Sequence, residues 1–176
     1  MPQQPAPEFS RPVRVDEMEP GAEIHCKIES DESERKALAA RLGLVRLEGL
    51  SAEVTLRRAP GGVLIGASGR LTADVVQSCV VTMVPVSGHI DEKFEEVFAP
   101  EGNEAGEDEE GDDLPEIFDG HEIDIGEVVA QILSLSLDPY PRAPDAAPMP
   151  PVGDEPDVSE RRRPFEGLSE MLKNRK

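Results

Sequence analysis

The residue types that most often carry chemistry are few and scattered in this chain. Its three histidines, His25, His89 and His121, stand at no metal-binding spacing. No nucleophile elbow, phosphate-cradling glycine loop or dinucleotide fingerprint occurs. Gly61-Gly62 and Gly66-x-x-Gly69 fall in a hairpin pattern and lack the lysine or following helix that phosphate binding needs. Acid pairs crowd only into a charge run, where flexible chain fixes no geometry for proton transfer. The expectation is a non-enzyme with no catalytic residue, no cofactor, no metal and no small-molecule substrate.

The two cysteines are Cys26 and Cys79, which read as reduced thiols of a cytosolic protein. Cys79 has two readings. As packing, it is a small apolar residue of a buried strand, a common place for a free thiol. As a ligand or redox thiol it needs a second cysteine two or three positions on, and Val80, Val81 and Thr82 follow instead. Packing is the favoured reading. An enzyme using Cys79 would lose activity in a Cys79→Ser change that leaves stability intact.

Charge points to binding. The chain of 176 residues has a formal net charge of −19, and its position matters more than its size. Residues 1–93 hold 11 Lys/Arg and 14 Asp/Glu; residues 94–141 hold 16 acids and no Lys or Arg; residues 142–176 hold seven of each. The acidity is therefore one segment, centred on Glu101, Glu104, Glu107, Asp108, Glu109, Glu110, Asp112 and Asp113. Charges this dense do not pack, so residues 99–120 read as a long solvated acidic loop. That loop is either a solubilising surface or a docking surface for a basic partner, such as a ribosomal protein, or a nucleic-acid mimic.

Other elements must position these residues. Residues 1–8 read as a disordered start, without the basic and apolar regions of a signal peptide, and no apolar run suffices to span a membrane. The expectation is a cytoplasmic protein with no membrane partner. Phe9 to Val15 has strand character, limited by Pro12 to an edge or a strand end. Ile24, Cys26 and Ile28 alternate with polar residues as in a half-buried strand. Ser30 or Asp31 caps a helix over Glu32–Leu42 that Gly43 closes. Leu50–Arg58 and Val63–Thr72 form a hairpin around Pro60-Gly61-Gly62. Val75–Val86, apolar on both faces, reads as a central strand, and a turn at Pro85–Gly88 leads to Ile90–Phe98.

Residues 9–98 thus read as an antiparallel sheet domain with one helix. Residues 121–138 add a buried helix capped at Asp124 with Glu127 at capping-box spacing, its apolar face made by Val128, Val129, Ile132, Leu133, Leu135 and Leu137. Residues 139–158 read as a Pro-rich linker. Residues 159–176 form a short, flexible, basic amphipathic tail: Arg161, Arg162 and Arg163, then Phe165, Leu168 and Leu172 at helical spacing, then Lys173. That tail either packs or stays loose as a terminal segment, or meets RNA phosphates or a protein partner. The fold class is α+β: a mainly antiparallel sheet with two packed helices, a long acidic loop and a flexible C-terminal tail.

The stretch Asp74 to Val86, which includes Cys79 and Pro85, resembles the YceD family, the large ribosomal RNA subunit accumulation proteins. The surroundings agree in order: Phe9 to Val13, Gly69 to Ala73, Phe94 to Phe98, an acidic loop, Ile123 to Val129, Leu135 to Pro141, and a final segment near Pro164 to Lys173. One departure matters. Many relatives carry a second cysteine just after the first and more beyond the proline-closed helix, whereas no cysteine follows Cys79 here, so a four-thiolate zinc site has no ligand set. The resemblance implies a non-catalytic bacterial factor supporting accumulation of large-subunit (23S) ribosomal RNA. It would bind pre-ribosomal RNA or a basic ribosomal or assembly protein. The alternative is an acidic interaction or chaperone-like module, or a nucleic-acid mimic, unrelated to ribosomes. Scarce aromatic residues and the net negative charge of residues 1–93 speak against RNA binding by the body of the domain.

Overall fold

The computed structural model describes residues 7–102 and 115–146. The strands are β1 (Pro12–Arg14), β2 (Glu23–Glu29), β3 (Arg46–Arg58), β4 (Ile65–Ser78), β5 (Pro85–Pro100), β6 (Glu116–Phe118) and β7 (Glu122–Asp124). The helices are α1 (Glu32–Leu42), between β2 and β3, and α2 (Ile125–Ser136), after β7. Five strands form one sheet in the order β2-β3-β4-β5-β6, antiparallel except for the parallel pair β5–β6. β1 and β7 make a separate antiparallel ribbon. The molecule is thus α+β, with two helices and a mainly antiparallel sheet, as its sequence predicts.

Alternation along the long strands sorts residues onto two faces. Cys26, Val54, Gly69 and Phe94 follow one another across β2, β3, β4 and β5 on one face. That face carries the core, in which Phe9, Leu56, Ile65, Leu71, Val129 and Leu133 are fully buried. α2 supplies its largest apolar stripe, burying Ile125, Val128, Val129, Ile132 and Leu133. Leu135 departs from the expectation: it is 82% exposed, on the side of α2 that also exposes Gln131 and Ser134, while Leu133 in the same turn is fully buried.

α1 is held less by burial than by its ends, since only Leu38 and Ala39 are buried. The Glu34 N–H donates to Asp31 Oδ1 and the Asp31 N–H to Glu34 Oε2, each at 2.8 Å, a complete capping box. Gly43 closes the helix in the left-handed region, φ 66°, where its N–H reaches the Ala39 carbonyl. An Asp31→Ala change should cost about 1 kcal/mol in urea unfolding. A variant as stable as the parent would show that Arg11, which also grips Glu34 at 2.7 Å, holds this end alone.

Salt bridges and close backbone contacts join the helices through the N-terminal arm. Asp124 caps α2, accepting from the Gly126 and Glu127 N–H groups, and also takes hydrogen bonds from Ser10 Oγ at 2.6 Å and the Arg11 N–H at 2.7 Å. Glu127 lies where a capping box would use it but reaches Arg41 of α1 instead, at 2.6 and 2.8 Å. The Arg41 guanidinium holds the Glu127 carboxyl below its ordinary range.

Further expectations change. Val75–Val86 is not one central strand: Val75–Ser78 ends β4, the middle strand of the sheet, Cys79–Val84 is the connection, and β5 begins at Pro85. The turn expected at Pro85–Gly88 is strand. Of the apolar run, Val75, Val76 and Cys79 are buried, whereas Val80, Met83 and Val84 are exposed. Residues 99–120 are not wholly loop either, because β5 runs on to Pro100 and Glu116–Phe118 pairs beside it in parallel. Only Pro12–Arg14 of the Phe9–Val15 run is strand, starting at the proline as expected. The remainder of the proposed linker, beyond Ala146, and the basic tail lie outside the described residues.

Candidate partner-binding site

The connection between β4 and β5 is a tight turn built around a sulfur. The Cys79 N–H donates to the Val84 carbonyl at 2.8 Å and the Met83 N–H to the Cys79 carbonyl at 2.9 Å. Met83 has φ 60°, a left-handed conformation unusual for a side chain of its size. Folding back in this way aims the Val81 and Thr82 N–H groups at Cys79 Sγ, each at 3.4 Å. A third donor, the Ala143 N–H at 3.3 Å, comes from the chain beyond α2. That chain is tied down twice more, by the Val80 N–H to the Pro141 carbonyl and by Gln77 Nε2 to the Asp138 carbonyl, both at 2.9 Å.

These donors favour the thiolate. The Thr82 hydroxyl, followed by the N–H groups of Ala143, Thr82 and Val81, pushes the Cys79 thiol down to about 6. The side chain is fully buried, so the sulfur faces its three N–H donors rather than solvent. Among the described residues no three His, Cys, Asp or Glu side chains converge as a metal site would require. The turn therefore works as a staple, closing the β4–β5 hairpin onto the segment after α2.

The outside of the staple is apolar. Met83 is 74% and Tyr140 71% exposed, and Val80 and Val84 are about half exposed. Because Val80 is bonded to Pro141, the hairpin tip and Tyr140 form one surface, of a kind suited to contact with another macromolecule.

β5 and β6 carry the second surface, which is acidic. Glu101 stands exposed in the turn after β5, its N–H bonded to the Phe118 carbonyl at 3.0 Å. Desolvation first, then the nearby Glu96 and Glu127 carboxylates, hold the Glu116 carboxyl above its ordinary range. Of the sequence-predicted site residues, Cys79, Pro85 and Glu101 are placed. Glu104, Glu107, Asp108, Glu109, Glu110, Asp112 and Asp113 lie outside the described residues, as do Arg161, Arg162, Arg163, Phe165, Leu168, Leu172 and Lys173.

The outer sheet face holds a third feature. Strand register sets Lys27, Glu53, Arg70 and Lys93 side by side across four strands. They line a shallow groove of about 880 Å³ with His25, Thr55, Ser68 and Glu95. Glu53 binds Lys27 at 3.1 Å and Asp91 clamps Arg70 with two hydrogen bonds, so the basic groups are largely compensated. This row, like the sulfur-centred turn, was missed from the sequence. Alternation reveals which residues share a face, but register depends on pairing between distant strands.

A family model described as large ribosomal RNA subunit accumulation protein YceD matches residues 67–172. No curated protein and no solved structure matches the chain. The family match starts within β4 and takes in the Cys79 turn, β5, β6, β7 and α2, before continuing past the described residues. It therefore covers both the staple and the acidic surface, and it spans more than half of the chain. This chain belongs to the YceD family of large ribosomal RNA subunit accumulation proteins.

Proposed function

We propose that this protein supports the accumulation of large-subunit ribosomal RNA as a non-catalytic cytoplasmic factor that binds a basic protein of the assembling subunit. The family match over residues 67–172 is the observation that carries the ribosomal half. The binding half rests on the segregated charge, with 16 acids and no Lys or Arg in residues 94–141. Such a surface attracts basic proteins and repels RNA phosphates. The outer sheet face gives RNA little purchase, since Lys27 and Arg70 are paired with Glu53 and Asp91 and Phe94, which lines the groove, is almost wholly buried.

The test is the ratio of large- to small-subunit ribosomal RNA in cells depleted of the protein. The expected result is a selective fall in the large-subunit RNA, restored by the full-length chain. An unchanged ratio would remove the ribosomal assignment and leave an acidic interaction module.

A second reading, direct contact with precursor RNA, has its support in Arg161, Arg162 and Arg163 with Lys173, Arg175 and Lys176. Deleting residues 159–176 separates the two. Rescue by the truncated chain favours the protein partner, and failure of a truncated chain that still folds favours RNA.

A further inference from the structure

β5 is a long strand with one side open. Pro85–Phe98 pairs with β4 on one side, while on the other side β6 covers only Phe98–Pro100. Among the described residues nothing pairs with the outer edge from Pro85 to Val97, a span of roughly 40 Å at the usual rise per residue. In an antiparallel pair, alternate residues turn their N–H and C=O groups away from the partner strand, so this edge presents a row of unmet donors and acceptors. Ser87, Gly88, His89, Asp91, Glu92 and Lys93 are all exposed along it.

Charge decides what fits there. Between Pro85 and Val97 lie four acids, Asp91, Glu92, Glu95 and Glu96, against one lysine, and only Asp91 is taken up by Arg70. A second copy of the same edge would bring carboxylates together, which disfavours self-pairing. The chain's own approach to β6 is also a poor occupant. Pro115, immediately before β6, has no N–H with which to carry the β5–β6 ladder further, and residues 104–113 are themselves acidic. An extended segment rich in lysine or arginine meets both demands, completing the backbone hydrogen bonds and neutralising the acids.

We propose that the open edge of β5, from Pro85 to Val97, takes up an extended basic segment of a protein partner as an added strand. This rests on the protein-binding reading above and names the shape and chemistry of the segment bound. One row of the incoming side chains would lie beside Asp91 and Glu95, and the other beside Glu92 and Glu96.

The test uses the full-length protein and a synthetic peptide of alternating valine and lysine, long enough to span the edge. Hydrogen exchange should show new protection at outward-facing amides between Val86 and Val97. Methylating the peptide's amides on one edge, or replacing lysine by glutamate, should weaken binding by about tenfold or more. The Glu92→Lys/Glu95→Lys protein, altered only at exposed side chains, should lose affinity to a similar degree.

Full binding by the methylated peptide would overturn the proposal, since attraction by charge alone needs no strand pairing. So would undiminished binding by the charge-reversed protein, or protection that maps to residues 101–113 and not to β5. Failure of the peptide beside a selective loss of large-subunit RNA on depletion would remove only the edge assignment. Peptide binding beside an unchanged RNA ratio would keep the edge and remove the ribosomal role.

Discussion

Gly126→Ala should destabilise the protein by about 3 kcal/mol, near the upper end for a single added methyl group. Gly126 is the second residue of α2, where the helix meets the N-terminal arm. A Cβ there would lie 2.3 Å from the Phe9 carbonyl oxygen, 2.9 Å from its carbon and 3.0 Å from the Arg11 nitrogen. All three atoms are backbone, so no rotamer change relieves the clash. The arm cannot easily withdraw, because Phe9 is fully buried, Ser10 and Arg11 are bonded to Asp124, and the Ile125 N–H donates to the Arg11 carbonyl. Either the arm peels away, exposing Phe9, or α2 shifts and loosens Ile125 and Val129. Urea unfolding measures the loss. Gly61→Ala, where nothing lies within 4 Å of the added Cβ, is the control and should stay within about 1 kcal/mol of the parent. A Gly126→Ala protein as stable as that control would show that the arm is not held against the helix.

That contact shows where sequence reasoning succeeds and where it stops. Local chemistry is legible: Asp31, Glu34 and Gly43 mark α1, Asp124 marks the start of α2, and Pro60-Gly61-Gly62 marks the β3–β4 hairpin. Each signal lies within a few residues of the structure it specifies. Nonlocal contacts are not legible in this way. Nothing next to Gly126 in sequence indicates that Phe9 presses on it, and nothing near Glu127 indicates that Arg41 will take it from its own helix cap.

The misreading of Val75–Val86 has a different cause. A run of Val, Cys and Met is scored as buried, although an exposed apolar tip has the same composition. Residues kept apolar for contact with another molecule imitate a core. The three-residue β6 carries no usable periodicity, and dense acids on its N-terminal side obscure it. The candidate site was therefore legible as chemistry, in Cys79, Pro85 and the acids. Its arrangement, with the β4–β5 turn stapled to the segment after α2, was not.

The same turn gives the second large expected effect, a change of about a thousandfold in an acid constant. The Cys79 thiol should ionise near pH 6, whereas burial pushes the Cys26 thiol above its ordinary value. The ultraviolet absorbance of thiolate should therefore rise in two separate steps, and Cys26→Ser should abolish only the upper one. Thr82→Val, which removes the hydroxyl that contributes most, should move the lower step upward. The consequence for stability has a definite sign. A folded-state value below that of the unfolded thiol makes the contribution fully present above the ordinary thiol range, and lost as pH falls through about 6. Relative to Cys79→Ser, the parent should thus gain stability as pH rises across that window and level off above it. A single step in the ordinary thiol range would mean that the Val81, Thr82 and Ala143 donors do not converge on sulfur. The hairpin would then keep only the Val80–Pro141 and Gln77–Asp138 hydrogen bonds as its ties to the segment after α2.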